Sequence, residues 1–461
     1  MRPSALASLS PSFRRGLGGG MLALLLFMPL AASAAGHVTL RDTLTTCEIY
    51  PGTVHTLEVT VPDSYDPSAP AALVVGLDGP LCNAPAIIDS LTAAGRLPVT
   101  IGVWLQPGRI TAADGTVLRY NRSNEFDAID DCFVHFLATE VLPAVGRLST
   151  PDGRQVRLSD NAADRMIMGL SSGGIAAMVA AFQRPDLFGR VFSGVGTFVA
   201  MRGGNDLQAL VRKTEPLPLR VYLQDGTLDA WNPLFGHWYE GNRMLATALE
   251  FAGVALHCDW SDGGHNVRRA TEVFPEALEW LWSEPPTVGH TSNDFLQALL
   301  PDGEDHDWHE AEPWDIANDE EFLHLKDFYP DSTIVVWWDN ADNCLWQGIR
   351  GEKGAIENAQ RFYYLHYYNR RIMVTHMEFD AAGNLWAATD AGLQICDQNG
   401  RVRAILRYPA GMIAPRSIVI GEGYIDIIGK QIDALHRVHY RRALRVRPVT
   451  PGVRPPSQGQ G

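Results

Sequence analysis

Between about residues 38 and 285, short apolar runs alternate with segments that carry one apolar face. The run 71–77 is apolar throughout, as is typical of a central strand covered on both sides. The run 99–104 has the same character, whereas 53–61 alternates apolar and polar residues like a half-exposed strand. Strands interleaved with helices predict a mostly parallel sheet with helices on both faces. We therefore expect a three-layer α/β domain here.

The alternation continues toward the end of this region. We predict a long amphipathic helix over 126–145 and further helices over 175–183 and 272–282. The predicted later strands are 165–168, 190–193, 219–224 and 255–260.

The chain is long enough for several domains. At roughly 150 residues per domain, the 461 residues predict two or three. We place the α/β domain at 36–285, an acidic linker at 286–331, and a smaller all-β domain of hairpins at 332–445. The tail, 446–461, is rich in Pro, Gly and Gln and is expected to be disordered.

Residues 1–35 are typical of a secretory signal peptide. Arg14 and Arg15 precede the apolar run 21–30, and small residues follow at 32–35. The run is shorter than the roughly 20 residues that span a bilayer. We expect cleavage, a secreted or periplasmic location, and no membrane span in the mature protein.

Charge and cysteine content narrow the class further. A net charge of −15 argues against a nucleic-acid partner, which would require a basic footprint. Export makes disulfides among the six cysteines an expectation, but the pairing is open. The motif His306-Asp307-Trp308-His309 is interpreted as part of an acidic linker. We expect no metal and no cofactor.

The segment Gly169-Leu170-Ser171-Ser172-Gly173 matches the G-x-S-x-G pattern. It lies between a predicted strand and a helix rich in alanine, which is the context of a nucleophile elbow. Such an elbow holds its serine in a strained backbone conformation, and larger residues two positions away would clash with neighbouring elements. Ser171 is therefore the candidate nucleophile of an α/β-hydrolase fold.

A serine nucleophile needs a base and an acid, which follow it in the order acid, then histidine. Asp229 is the favoured acid, with Asp225 as the alternative, because both follow strand 219–224. His265 is the candidate base, since it lies on a Gly-Gly loop before the last helix. His237 and His257 are interpreted as packing residues.

Stabilising the oxyanion requires backbone N–H donors. Ser172, directly after the nucleophile, is expected to supply one. Gly79 or Leu81 would supply the second, because Pro80 lacks an N–H. The aromatic cluster 231–239 follows the acid, so Trp231 is the predicted substrate-binding residue, while Trp104 is a weaker pocket candidate.

The stretch 50–283 resembles the esterase family that includes enterochelin esterases, feruloyl and acetylxylan esterases of carbohydrate esterase family 1, and esterase D. The matching pieces are 77–79, 119–127, 169–174, 184–188, 224–229 and 263–265. The resemblance implies a Ser-His-acid esterase. Arg122 and Glu125 lie in one matching piece and are interpreted as a buried ion pair, with contact to the substrate as the alternative.

The segment 379–402 resembles a blade of the gluconolactonase-like β-propellers. About 110 residues hold at most two or three such blades.

Together these features predict a secreted serine esterase acting on carboxylic esters. The expected substrate is an acetyl or feruloyl ester of a polysaccharide, or an ester-linked siderophore. Three alternatives stay open: acyl transfer on the same fold, a degenerate hydrolase that binds through its β-rich end, and peptidase activity.

Overall fold

The computed structural model describes most of the chain between residues 36 and 446. The described residues are 36–214, 217–288, 309–310, 325–339, 344–366, 372–406, 408, 412–421, 424–432 and 438–446. The predicted signal peptide, nearly all of the tail and most of the linker lie outside this set, so those predictions stay predictions.

Twelve strands belong to the first region. They are β1 His37–Leu44, β2 His55–Pro62, β3 Ala72–Leu77, β4 Thr100–Leu105, β5 Arg109–Thr111, β6 Val117–Tyr120, β7 Arg165–Leu170, β8 Arg190–Gly194, β9 Arg220–Leu228, β10 Trp231–Asn232, β11 Gly236–His237 and β12 Ala255–Gly264.

The α-helices of this region lie between those strands. They are α1 Ala84–Ala93, α2 Arg122–Phe126, α3 Cys132–Phe136, α4 Leu142–Val145, α5 Ser172–Gln183, α6 Leu207–Lys213, α7 Trp238–Phe251 and α8 Val267–Trp282.

Eight of the strands form one sheet in the order β1-β2-β4-β3-β7-β8-β9-β12. Within it β2 runs antiparallel to its neighbours, and the pairs from β4 to β12 are parallel. Every residue of β3, β4, β7 and β8 is buried. Strands β3 and β4 are the continuous apolar runs 71–77 and 99–104 of the sequence, because a strand covered by helices on both faces has no polar side.

Helices cover both faces of this sheet. Apolar side chains of α1 and α8 form one cluster with it, while α3, α5 and α7 contribute to the cluster on the other face. The three-layer α/β-hydrolase fold predicted from the sequence is thereby confirmed. Two hairpins, β5–β6 and β10–β11, follow the carboxyl ends of β4 and β9.

The helix predicted over 126–145 is wrong at its start. Its predicted apolar face is buried, but Phe126 ends the short helix α2, and a separate helix begins at Cys132 and continues through α3, a π-helical turn Leu137–Val141 and α4. Asp130 accepts a hydrogen bond from the Cys132 N–H at 3.0 Å. Aspartates in this position start a new helix, so 127–131 becomes a connection between two helices.

The second region is built from antiparallel strands. They are β13 His309–Glu310, β14 Lys326–Phe328, β15 Ile334–Trp338, β16 Leu345–Arg350, β17 Ile356–Tyr363, β18 Val374–Phe379, β19 Leu385–Thr389, β20 Gly392–Cys396, β21 Val402–Leu406, β22 Met412–Gly421, β23 Tyr424–Ile432 and β24 Val438–Val446.

These strands form three four-stranded sheets, β14–β17, β18–β21, and β13-β24-β23-β22. Strand β14 lies inside the predicted linker. It forms a strand there because Lys326–Phe328 pairs with the apolar strand β15. Propeller blades are four-stranded sheets, but the propeller resemblance stays a prediction. Among the described residues, no helix is both long and apolar enough to cross a bilayer.

Candidate active site

The G-x-S-x-G segment forms a sharp turn between β7 and α5. Ser171 has a backbone φ of 57° and ψ of −121°, which is strained for a residue with a side chain. Its N–H donates to the carbonyl of Gly194 on the neighbouring strand at 2.9 Å. The sheet therefore holds the serine at the carboxyl edge, where the loops of the other strands converge.

The glycines of this turn are required by close approach. A Cβ on Gly169 would lie 2.3 Å from the Gly173 carbonyl oxygen. A Cβ on Gly174 would lie 2.7 Å from the Ser193 hydroxyl, on β8. These distances agree with the prediction that larger residues at these positions would clash with neighbouring elements.

The two other predicted catalytic side chains meet Ser171 here. His265 Nε2 lies 2.9 Å from Ser171 Oγ, and His265 Nδ1 lies 2.6 Å from Asp229 Oδ1. The Asp229 side chain is fully buried, whereas that of His265 is 32% exposed. The three groups form a continuous chain from a buried carboxylate to a solvent-accessible hydroxyl.

The close packing of the β9 and β12 backbones positions the loop that carries His265. A Cβ on Gly226 would lie 2.1 Å from the Gly263 carbonyl oxygen, so β9 and β12 approach more closely there than side chains allow. The pairing of the two strands becomes irregular between Ser261 and Gly264. This irregularity turns the His265 loop over the end of the sheet.

Asp225, the alternative acid, does not take this position. Its Oδ1 accepts the N–H of Gly226 at 2.6 Å. Burial and then the neighbouring Asp229 raise the pKa of Asp225 to about 9. Burial opposes ionisation of Asp229 as well, but the hydrogen bond from His265 and the neighbouring Asp225 outweigh it and lower the pKa of Asp229.

The predicted oxyanion donors are backbone N–H groups of two segments. Ser172 is the first residue of α5, where N–H groups have no partner within the helix. The N–H groups of Gly79 and Leu81 are both engaged, with the Leu105 and Gly79 carbonyls at 3.1 and 2.9 Å. Neither of the two predicted second donors is therefore available.

Asp78 is the residue of this loop that lies against the elbow. A Cβ on Gly173 would lie 3.2 Å from Asp78 Oδ2. Asp78 has a φ of 64°, and among the hydrogen bonds of the described residues its N–H has no backbone acceptor.

Arg122 and Glu125 do not pair with each other, contrary to the sequence interpretation. Arg122 makes two hydrogen bonds of 2.7 Å to the Asp78 carboxylate. Glu125, one turn later, bonds His55 Nε2 at 3.0 Å and the Asn121 amide at 2.7 Å. Side chains three positions apart on a helix can diverge toward different partners, which sequence spacing alone does not settle.

Sequence reasoning missed Thr197. Its hydroxyl lies 3.3 Å from Ser171 Oγ and accepts a hydrogen bond from Trp238 Nε1 at 3.2 Å. Trp238 also packs edge-on against the His265 ring. Its position in the sequence could have indicated this role, because Thr197 lies on the loop after β8, the strand beside the elbow.

The predicted aromatic pocket residues separate into two classes. Trp104 is buried and donates to Thr60 Oγ1 at 3.0 Å, so it belongs to the core. Trp231 is 66% exposed on the β10–β11 hairpin, two residues after Asp229. Its predicted role in substrate binding stays a prediction. His257 stacks on Tyr222, as a packing residue would.

The disulfides expected from export are not formed by the thiols of Cys47, Cys82, Cys132, Cys258 and Cys396. Cys82 lies in the cluster on one face of the sheet, whereas Cys47 and Cys258 lie with the cluster on the other. Within the described residues, no group of three His, Cys, Asp or Glu side chains could hold a metal ion. Residues 306–308 of the His-x-x-His motif lie outside that set.

Comparison with known proteins finds related esterases. Residues 50–281 match the model of the family described as "Putative esterase". The Iron(III) enterobactin esterase of Dickeya dadantii (strain 3937) is 31% identical over 210 residues, which cover 42% of this chain and 43% of that enzyme. The match thus spans less than half the length of that relative.

Two solved structures give weaker likenesses. A ferulic acid esterase is 17% identical with a TM-score of 0.40, covering 54% of this chain and 99% of that chain. The enterochelin esterase of Shigella flexneri is 20% identical with a TM-score of 0.40, covering 53% and 58%. Because the family model matches residues 50–281, which is half of the sequence, the chain belongs to the "Putative esterase" family.

Proposed function

We propose that this chain hydrolyses carboxylic esters through an acyl-enzyme formed on Ser171. The observation that carries the proposal is the hydrogen-bonded chain Ser171–His265–Asp229, with distances of 2.9 and 2.6 Å. These distances lie within the reach required for a nucleophile, its base and the group that orients the base.

The chemistry follows from this geometry. His265 Nε2 removes the proton of Ser171 as Oγ attacks the ester carbonyl, and it then returns that proton to the leaving alcohol. Asp229 fixes the tautomer of His265 and stabilises the imidazolium. Water, deprotonated by His265, then releases the acid from the acyl-enzyme.

The oxyanion is stabilised by two backbone donors in this mechanism. Ser172 supplies one N–H from the start of α5. Asp78 supplies the second, because its carboxylate adjoins Gly173 and the other candidate N–H groups are engaged. Such donors act on charge that develops during the reaction, which makes them effective in catalysis.

Among the candidate esters, we propose an ester-linked siderophore first. The likeness to an Iron(III) enterobactin esterase supports it over acetyl or feruloyl esters of polysaccharide. Segment 1–35 supports export to the periplasm or the medium, and N-terminal sequencing of the mature protein tests that point.

The proposal is tested by labelling the purified protein with a fluorophosphonate and mapping the adduct by peptide mass spectrometry. A single adduct on Ser171 that His265→Ala abolishes supports it. A folded protein without the adduct contradicts it. The unlabelled parent protein is then assayed on ferric enterobactin, feruloylated xylan and acetylated xylan. Each assay is repeated with an added alcohol acceptor, which reveals acyl transfer.

A further inference from the structure

A second carboxyl group lies beside the proposed triad acid, and the mechanism above does not use it. Asp225, near the end of β9, is 0% exposed, and the Asp229 side chain is equally buried. One oxygen of each is occupied, Asp225 Oδ1 by the Gly226 N–H and Asp229 Oδ1 by His265.

The second carboxyl oxygen of each aspartate lacks a hydrogen-bond donor. Asp225 Oδ2 and Asp229 Oδ2 are both buried, and neither has a donor if both groups are ionised. A buried polar atom without a partner is costly, and two adjacent buried negative charges repel. One proton resolves both costs, because a protonated carboxyl becomes a donor to its neighbour.

We propose that Asp225 is a positioning residue, a carboxylic acid that donates to Asp229 Oδ2 and so keeps Asp229 Oδ1 directed at His265. This inference rests on the proposed function. The proton stays on Asp225 throughout the cycle, while His265 exchanges its own proton with Ser171 and the leaving group.

The electrostatics around the pair agree with this role. Burial, then the contact with Asp229, raises the pKa of Asp225 to about 9. The same contact helps to lower the pKa of Asp229. Asp229 is the titratable group that faces Asp225, His265 acts through Asp229, and the facing residues Trp260 and Ser261 of β12 are uncharged.

A pH dependence follows. Below about pH 9 Asp225 keeps its proton and donates. Above that pH it loses the donor and places a second negative charge beside Asp229. We therefore expect kcat to fall as the pH rises through this range, since a displaced Asp229 no longer orients His265.

The test measures kcat and KM on an aryl ester between neutral and alkaline pH, for the parent and for Asp225→Asn and Asp225→Leu. The asparagine amide still donates but cannot ionise, so kcat at pH 7 is retained and the alkaline fall disappears. The leucine removes the donor, and kcat falls by about tenfold, the order expected for a hydrogen bond to a charged group, with KM unchanged.

Asp259→Asn is the matched control. It removes a carboxylate on β12 that pairs with Arg269, and it should keep the alkaline fall of the parent. The inference is overturned if Asp225→Asn keeps that fall, or if a folded Asp225→Leu variant has the kcat of the parent.

A second readout does not depend on activity. Infrared spectroscopy of the full chain should show a protonated carboxyl band at neutral pH in the parent and in Ser171→Ala, and the band should vanish in Asp225→Asn. Absence of that band in the parent overturns the inference. Normal hydrolysis by Ser171→Ala would instead refute the proposed function, so the two failures are distinguishable.

Discussion

One buried polar cluster from each of the two regions of the molecule shows a contrast in how such clusters are built. At the edge of the large sheet, His265 bonds Ser171 across 94 positions of sequence and Asp229 across 36. In the β-rich region Asp380 bonds Asn384 and Trp386, four and six positions away. Groups brought together from distant loops are available for chemistry, whereas groups that bond within one turn stabilise that turn.

The largest expected effect on kcat comes from substitutions that disrupt the site assembled from distant loops. Ser171→Ala or His265→Ala should lower kcat by at least about 10⁴-fold, because removing either residue disables the whole unit. The measurement is steady-state hydrolysis of an aryl ester. His135→Ala, which changes an exposed histidine of α3, should retain parental kcat, and comparable loss there would indicate a general defect.

The second prediction tests the β-rich region. Asp380→Ala removes the acceptor of the buried Trp386 indole and of the Asn384 amide, at 3.0 and 2.9 Å. The loss should cost about 2–3 kcal/mol of unfolding free energy, measured by denaturant titration, without changing kcat/KM. Asp331→Ala, at an exposed turn, should cost much less; equal costs would refute the argument from burial.

A third variant targets the loop beside the elbow. Arg122→Gln removes both hydrogen bonds to Asp78 and should lower kcat by about tenfold, the order expected for a charge-assisted pair. Arg184 makes an equivalent two-point pair with Asp186 on the surface. Arg184→Gln should therefore leave kcat unchanged, and equal effects of the two variants would contradict a local role.

The fourth prediction concerns stability and pH. The pKa of Asp225 is raised to about 9. Between the usual pKa of aspartate and this value, the unfolded chain releases a proton that the folded chain retains, and this difference lowers the free energy of unfolding. That penalty grows from about pH 4, the usual pKa range of aspartate, and is complete near pH 9.

Asp225→Asn removes this titration. We expect it to stabilise the protein by at least about 1 kcal/mol at pH 8 and to have little effect at pH 4, measured by denaturant titration at both values. Equal stability of parent and variant at pH 8 would contradict the raised pKa.

The smallest effect is expected at the rim of the site. Trp231 is 66% exposed, so Trp231→Ala should leave the Tm unchanged and raise KM for the true substrate by about threefold to tenfold, as lost apolar contact would. Tyr364→Ala, at an exposed position in the β-rich region, should change neither. Unchanged KM for Trp231→Ala would remove this residue from the substrate site.

Much of the hydrolase region was predictable because its signals are local. Continuous apolar runs marked β3, β4 and β7, and the glycines around Ser171 marked the turn into α5. The break at 127–131 was missed because the apolar periodicity continues across it, while Asp130 starts a new helix. Strand β14 was missed because it has three residues, two of which are charged, and it pairs through its backbone.

The sequence by itself determined the residue types of the site and their order along the chain, since a nucleophile elbow demands glycines and a small-residue helix. It left open which aspartate faces His265, which N–H groups are engaged, and which carboxylate Arg122 pairs with. The tertiary structure decided these points, the first of them through the close approach of β9 and β12 at Gly226 and Gly263. The packing of Asp78 against the elbow contributed as well. Both are contacts between distant segments, and their distances follow from how strands pack rather than from the identity of neighbouring residues.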